Sequence, residues 1–341
     1  MGFREMSPAA RPSCGCGCRR FSSPSAARNG KHRMLAISTA YWPSLEDGQK
    51  ILDEADRLGF SAIEISSYTG RKALDEMLPA LRRMRFKTVS LHNPCPKYEP
   101  RLLPWETERP EPLVTAEDPE ERKAAVDLAC MTIELAADLE AGAVVLHLGT
   151  TEMPAPTEAL REMFDRERVE TDEGRERVAE ILEERARAGE GVWDRLSFSL
   201  EALTQKAERL DVFLGIENRI HLPEVPTYEE IGRILSEFEG GNFRYWHDIG
   251  HATVHQNLGL IDIEKTLTGL GGRLLGFHIH DAKGYDDHIA PGKGDSDYAA
   301  VAPYLTSETP RVIETHPQAP EEELLEGLGV LREAGVLDPA D

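Results

Sequence analysis

Six side chains able to bind a divalent metal stand at or near the ends of six separate apolar runs. No other feature of the chain constrains its fold as much. His92 ends FKTVSLH, His147 follows AGAVVL, Glu217 ends DVFLGIE, Asp248 ends FRYWHD, His278 lies in LLGFHIHD and Glu314 follows PRVI. Each run is short and rich in β-branched or aromatic residues, the pattern of a strand buried on both faces. MLAIST (34–39) and SAIEIS (61–66) bring the number of such runs to eight, and stretches with helical spacing separate them. Eight buried strands alternating with helices describe a (β/α)8 barrel. In a barrel every strand C-terminus meets at one mouth, where six donors from six strands converge; an open doubly wound sheet gives no such common point.

The intervening stretches carry their own boundaries. A helix runs through SLEDGQKILDEADRLGF, with Ser44 as its expected N-cap and Gly59 as its stop. Others are expected near 71–85, from Asp118-Pro119 to about Leu139, at 227–239 and at 320–334. Residues 150–211 are too long for a simple connection. Their charged stretch DEGRERVAEILEERARAG places Val178, Ile181 and Leu182 on one side. It predicts a helical insertion at about 150–200 between strands four and five, then a helix leading into strand five. The charge run reads as a solvated face in preference to a lid. The barrel is expected over 34–341. Residues 1–33 are Arg/Ser-rich and hold Cys14, Cys16 and Cys18 without a fourth ligand or a fold around them, so they read as a disordered leader.

The chain's 341 residues exceed the roughly 250 that such a barrel needs. The formal net charge of −22 becomes −28 once the basic leader is set aside. A surface so acidic repels phosphate backbones and counts against a nucleic-acid partner. No apolar run approaches the roughly 20 residues of a membrane span. Five cysteines in a chain this long make no disulfide framework, and a cytoplasmic location is the default expectation.

A lone His or Glu at a strand end is usually structural. Burial alters that balance for Glu217 and Glu314, because a carboxylate among LGI or RVI is costly unless paired, and a metal is one way to pair it. Asp248 and His251 form a D-x-x-H pair, and Asp286 and His288 follow strand seven. Mixed imidazole and carboxylate donors suit zinc or manganese, with cobalt or magnesium as further candidates. His280 and His316 share a face with His278 and Glu314, which makes them contacts to substrate or to the ligands. Lys283 is a candidate contact to an anionic substrate group, set against the plain reading of a surface lysine. The glycines of PGKG (291–294) fit a tight turn, and no strand–helix context marks it as a phosphate loop.

Taken in order, the motifs are His at strand three, HxG at four, IEN at five, DxGH at six, FHxxD with DxH and PGxG at seven, and Glu at eight. This set resembles the xylose isomerase-like TIM barrel superfamily over residues 34–334. The resemblance implies one metal held by Glu217, Asp248, His278 and Glu314, as in the sugar isomerases and epimerases. The related endonuclease IV-type enzymes hold three zincs, with further ligands at positions matching His92, His147, His251, Asp286 and His288. Three departures oppose that branch: no aromatic residue follows His92, Asp287 replaces an arginine, and GKGDSDY follows the sugar-acting pattern. The expected function is a metal-dependent sugar or sugar-phosphate isomerase or epimerase. Glu217 and Glu314 would move a proton through a metal-stabilised enediolate, while His251 contacts a substrate hydroxyl. The alternatives are an apurinic/apyrimidinic endonuclease with a trinuclear zinc site and an inosose dehydratase-like lyase. A small sugar or polyol is the expected partner, and a homo-oligomer is compatible with the reading.

Overall fold

The computed structural model describes residues 34–99 and 111–338. The expectation for the leader over 1–33, with its cysteine cluster, lies outside the described residues. Seven strands come first: β1 (Leu35–Ser38), β2 (Ala62–Ile65), β3 (Lys87–His92), β4 (Ala143–Leu146), β5 (Phe213–Glu217), β6 (Phe243–Asp248) and β7 (Leu274–Ile279). A short antiparallel hairpin of β8 (Asp281–Lys283) and β9 (Asp286–Ile289) precedes β10 (Arg311–Ile313). All but the hairpin pair in parallel and close a barrel in the order β1-β10-β7-β6-β5-β4-β3-β2. The eight expected strands are therefore the eight barrel strands. The hairpin was not expected.

Trp246, fully buried, fills the barrel interior, and the residues around it are small: Ala36, Ala62, Val89, Ala143, Val145 and Val312. The approach is close enough to require glycine on both sides. A Cβ at Gly276 would lie 2.5 Å from the indole, and one at Gly215 would lie 3.1 Å from it. A larger apolar layer lies between the barrel and its helices, with Ile37, Leu74, Ile133, Leu214 and Phe277 among its fully buried members.

Helix α1 (Gly48–Arg57) begins one turn later than expected. Its cap is Asp47, which accepts from the Lys50 amide, and not Ser44. The start is fixed by packing on α2 (Arg71–Leu81), since a Cβ on Gly48 would come within 2.0 Å of the Ala73 carbonyl. Gly59, at φ +90°, ends the helix as expected. Asp118 caps α3 (Pro119–Asp138) with Pro119 in the first turn.

The region after β4 differs from the expected insertion plus separate helix. A short α4 (Thr157–Asp165) is followed by one continuous helix of 39 residues, α5 (Asp172–Leu210), which runs directly into β5. The helix continues through Gly189 because that glycine seats a carboxylate: a Cβ there would lie 2.2 Å from Glu230 Oε1. The charge run is also not wholly solvated. Arg185, 1% exposed, donates to the Leu222 and Glu224 carbonyls and forms a two-pronged pair with Glu230 on α6 (Tyr228–Glu237). Helices α7 (Ile249–Asn257), α8 (Ile263–Leu270), α9 (Tyr298–Val301) and α10 (Glu321–Glu333) complete the ring. No helix of the described residues is long and apolar enough to cross a membrane.

Candidate metal centre

At the C-terminal mouth, β5, β6, β7 and the end of β10 bring Glu217, Asp248, His278 and Glu314 together. Each offers one ligand atom, all four atoms lie within 4.8 Å of one another, and all four residues are buried. His278 Nδ1 is 2.6 Å from Glu217 Oε1, 2.9 Å from Glu314 Oε2 and 3.8 Å from Asp248 Oδ2. The other ring nitrogen, Nε2, lies 3.0 Å from Glu64 Oε2 in the middle of β2. Glu64 is itself fully buried and accepts from the Ser90 hydroxyl at 2.7 Å. A proton on Nε2, donated to Glu64, leaves the Nδ1 lone pair facing three carboxylates. Such an arrangement needs a cation among them.

The charges bear this out. Burial opposes a charged imidazole, yet Glu314, Glu64 and Glu217 together hold the His278 pKa well above its ordinary value. Burial likewise opposes ionisation of Glu314, but His278 brings its pKa down to about 2. Asp248 is depressed despite its burial by His251 and His280, and Glu217 despite its burial by Arg219 and His278. Without a metal, a proton on His278 provides the missing positive charge. The same donor set would suit a divalent ion, which would take the place of that proton.

The surrounding residues aim the ligands. Asn218, immediately after Glu217, accepts from the Asp248 amide at 2.9 Å and donates to the Asp248 carbonyl at 2.9 Å, which locks β5 to β6. His280 Nε2 lies 3.0 Å from Asp248 Oδ2, and its Nδ1 accepts the His288 amide, so both its nitrogens are engaged. The imidazole fits because residue 250 is glycine, where a Cβ would lie 2.0 Å from the ring. Asp281 is also structural. Its carboxylate accepts from the amides of Ala282, Gly292, Gly294 and Ser296, and this explains the PGKG turn.

The remaining expected site residues fall into two further donor groups, His92–His147–Glu217 and His251–His280–His288, and two exposed positions. His92 and His147 form a second group with Glu217, all three ligand atoms within 4.8 Å. His251, in the first turn of α7, donates from Nδ1 to the Asn218 carbonyl at 3.0 Å. His288 stacks between His280 and His316 at ring separations of 4.0 and 3.7 Å. Asp286 lines the rim of the cavity above the centre but contacts none of these histidines. It is exposed on β9, and Asp287 takes its place, 2.6 Å from His288 Nδ1 and 3.6 Å from His251 Nε2. A register shift in the hairpin and the positive φ of His288 (+55°) accompany the inward placement of Asp287. Lys283 is exposed on β8 and does not line the cavity.

That cavity, about 630 Å³, opens above the centre and is bounded by His92, His147, Glu217, His251, His288 and Glu314. Its outer wall includes Arg161 of α4, whose guanidinium lies over the Tyr285 ring at 4.5 Å. The segment after β4 thus reaches the mouth, which the sequence did not favour.

The sequence reading gave no role to Glu64, Asn218, Arg219 or Asp281, although Asn218 and Asp281 stand in its IEN and FHxxD motifs. Glu64 carried the same signal as Glu217, a carboxylate inside an apolar run (Ala62-Ile63-Glu64-Ile65). Arg219 lies two residues after Glu217, on the same face of an extended chain.

A profile of xylose isomerase-like TIM barrels matches residues 52–334. The chain belongs to this family. No curated protein sequence matches it. Solved structures of the same fold include a D-tagatose 3-epimerase-like protein, 19% identical, covering 88% of this chain and 96% of that one with a TM-score of 0.59. The 3-keto-D-glucoside 4-epimerase YcjR from E. coli is 15% identical, with coverage of 88% and 99% and a TM-score of 0.63. An IolI protein with a bound zinc is 16% identical, with coverage of 88% and 97% and a TM-score of 0.57. At these identities the structural likeness speaks for the fold.

Proposed function

We propose that this family member is a metal-dependent sugar isomerase or epimerase. The observation that carries the reading is the approach of Glu217 and Glu314 to one point from strands separated by β6 and β7 around the barrel. Glu217, Asp248, His278 and Glu314 would hold a divalent ion, whose Lewis acidity would serve a substrate carbonyl and its neighbouring hydroxyl. Glu217 and Glu314 then stand on different sides of a bound sugar, one to remove a proton from carbon and the other to return it. Both border the cavity, but their surroundings differ: Glu217 is fully buried and paired with Arg219, while Glu314 is paired with His278 and has no arginine beside it. His251 and His288 line the same space and can bind hydroxyls. The Asp287 carboxylate beside them disfavours a phosphodiester at that position.

The test is proton exchange. The metal-loaded protein is incubated in deuterated water with a panel of ketoses, aldoses and inososes, and carbon-bound deuterium is followed by NMR. Deuterium incorporation with interconversion of at least one sugar is expected, and Glu314→Gln should abolish it. Metal-dependent cleavage of an abasic duplex, with no exchange in any sugar, would refute the reading.

A further inference from the structure

We propose that Arg219 limits this centre to a single divalent ion, its guanidinium occupying the place a second ion would take. The inference rests on the reading that Glu217, Asp248, His278 and Glu314 hold one such ion. Beside them, His92, His147 and Glu217 form a second donor set that shares Glu217, with ligand atoms close enough to bind metal. Sharing a carboxylate between adjacent donor sets is how two-metal centres are built. Here Arg219 Nη1 lies 2.5 Å from Glu217 Oε2 and 2.5 Å from His147 Nε2. Two of the three donor atoms already accept from, or lie against, one cationic nitrogen.

The guanidinium is clamped in that position. Glu224 Oε1 accepts from its Nη2 at 3.1 Å and its Nε at 3.4 Å, and Glu224 Oε2 accepts from the His221 amide at 3.0 Å. The loop bearing Glu224 is held in turn by Arg185, which donates to the Leu222 and Glu224 carbonyls. Arginine does not lose its proton in proteins, so it cannot yield the place by becoming neutral. His147 Nε2 lies against Arg219 Nη1 and beside Glu217 Oε2, so the donors of the second set already face the guanidinium and each other. A second dication would meet a fixed positive charge at contact distance and donors already engaged. One ion suffices to polarise a sugar carbonyl. A second ion bridged to the first through Glu217, as in a two-metal phosphodiesterase, has no place beside Arg219.

The experiment counts ions. Full-length protein is stripped with chelator, reloaded with zinc or manganese and passed through gel filtration. Ions per chain are measured by elemental analysis, and manganese samples also by electron paramagnetic resonance. The unaltered chain should hold one tightly bound ion, as should His147→Ala. Arg219→Ala should hold two, with a spin-coupled manganese spectrum, and adding His147→Ala should return it to one. A spin-coupled pair of ions in the unaltered chain, or one ion in a folded Arg219→Ala, would overturn the proposal. No ion in the unaltered chain would refute the metal-dependent reading itself. If Arg219→Ala does not fold, His147→Ala decides: a count still at one supports the proposal, and loss of an ion overturns it.

Discussion

His278 Nε2 and Glu64 Oε2 meet at 3.0 Å across the barrel although 214 residues separate them in sequence. The contact decides which nitrogen of His278 carries a proton, and therefore which one faces Glu217, Asp248 and Glu314.

Removing that partner should loosen the metal without removing a ligand. Glu64→Leu is expected to weaken metal affinity about 10–100-fold, as loss of an orienting partner typically does. Glu64→Gln keeps an acceptor for the Nε2 proton and should cost less. Titration against a competing chelator measures both. Equal affinity in all three proteins would show that Glu64 does not orient His278.

Direct loss of a ligand should be more severe. Glu217→Gln removes the carboxylate nearest His278 Nδ1 and should leave the purified protein with little bound metal. Elemental analysis after growth with added zinc or manganese is the measurement. Equal, near-zero metal in the variant and the unaltered protein would count against the centre.

The raised pKa of His278 predicts a stability profile for the metal-free chain. A folded-state pKa above the unfolded value of about 6.5 stabilises fully below about pH 6.5, and that contribution is lost as pH rises through the folded value. Thermal midpoints of the stripped protein should therefore fall as pH rises above about 6.5. The metal-loaded protein should lack this fall, because the ion has replaced the proton. Parallel profiles for the two forms would contradict the replacement.

Gly250→Ala places a methyl group against the His280 imidazole, at 2.0 Å before any relaxation. Overpacking of this kind costs about 1–3 kcal/mol. Displacing His280 should also free Asp248 from its 3.0 Å contact. Both a lower unfolding midpoint in denaturant and weaker metal binding are expected. A fall in stability with unchanged metal affinity would confine His280 to a packing role.

Much of this site was legible in the sequence because burial penalises charge locally. A glutamate after Leu-Gly-Ile or Arg-Val-Ile requires a partner wherever the strand is placed, and that cost is visible in a few adjacent letters. The same reasoning applied to Ala62-Ile63-Glu64-Ile65 but was not used there. Strand periodicity and helix punctuation were legible for the same reason: the Asp118-Pro119 start and the Gly59 stop depend on backbone chemistry within one turn. Capping of α1 was not, because packing of Gly48 on Ala73 moved its start to Asp47.

The sequence by itself determined the eight strands, the helices between them and the kinds of donor at the strand ends, since each depends on neighbours within a few residues. Tertiary structure alone decided which atoms share a point. It brought Glu64 behind His278, turned Asp287 in place of Asp286 toward His251, joined the insertion to the helix before β5, and set Arg219 between Glu217 and His147. Those choices depend on barrel closure, a hairpin register shift and side-chain reach. Each sums interactions over residues far apart in the chain, and electrostatic pairing at such short range changes with displacements of an ångström or less.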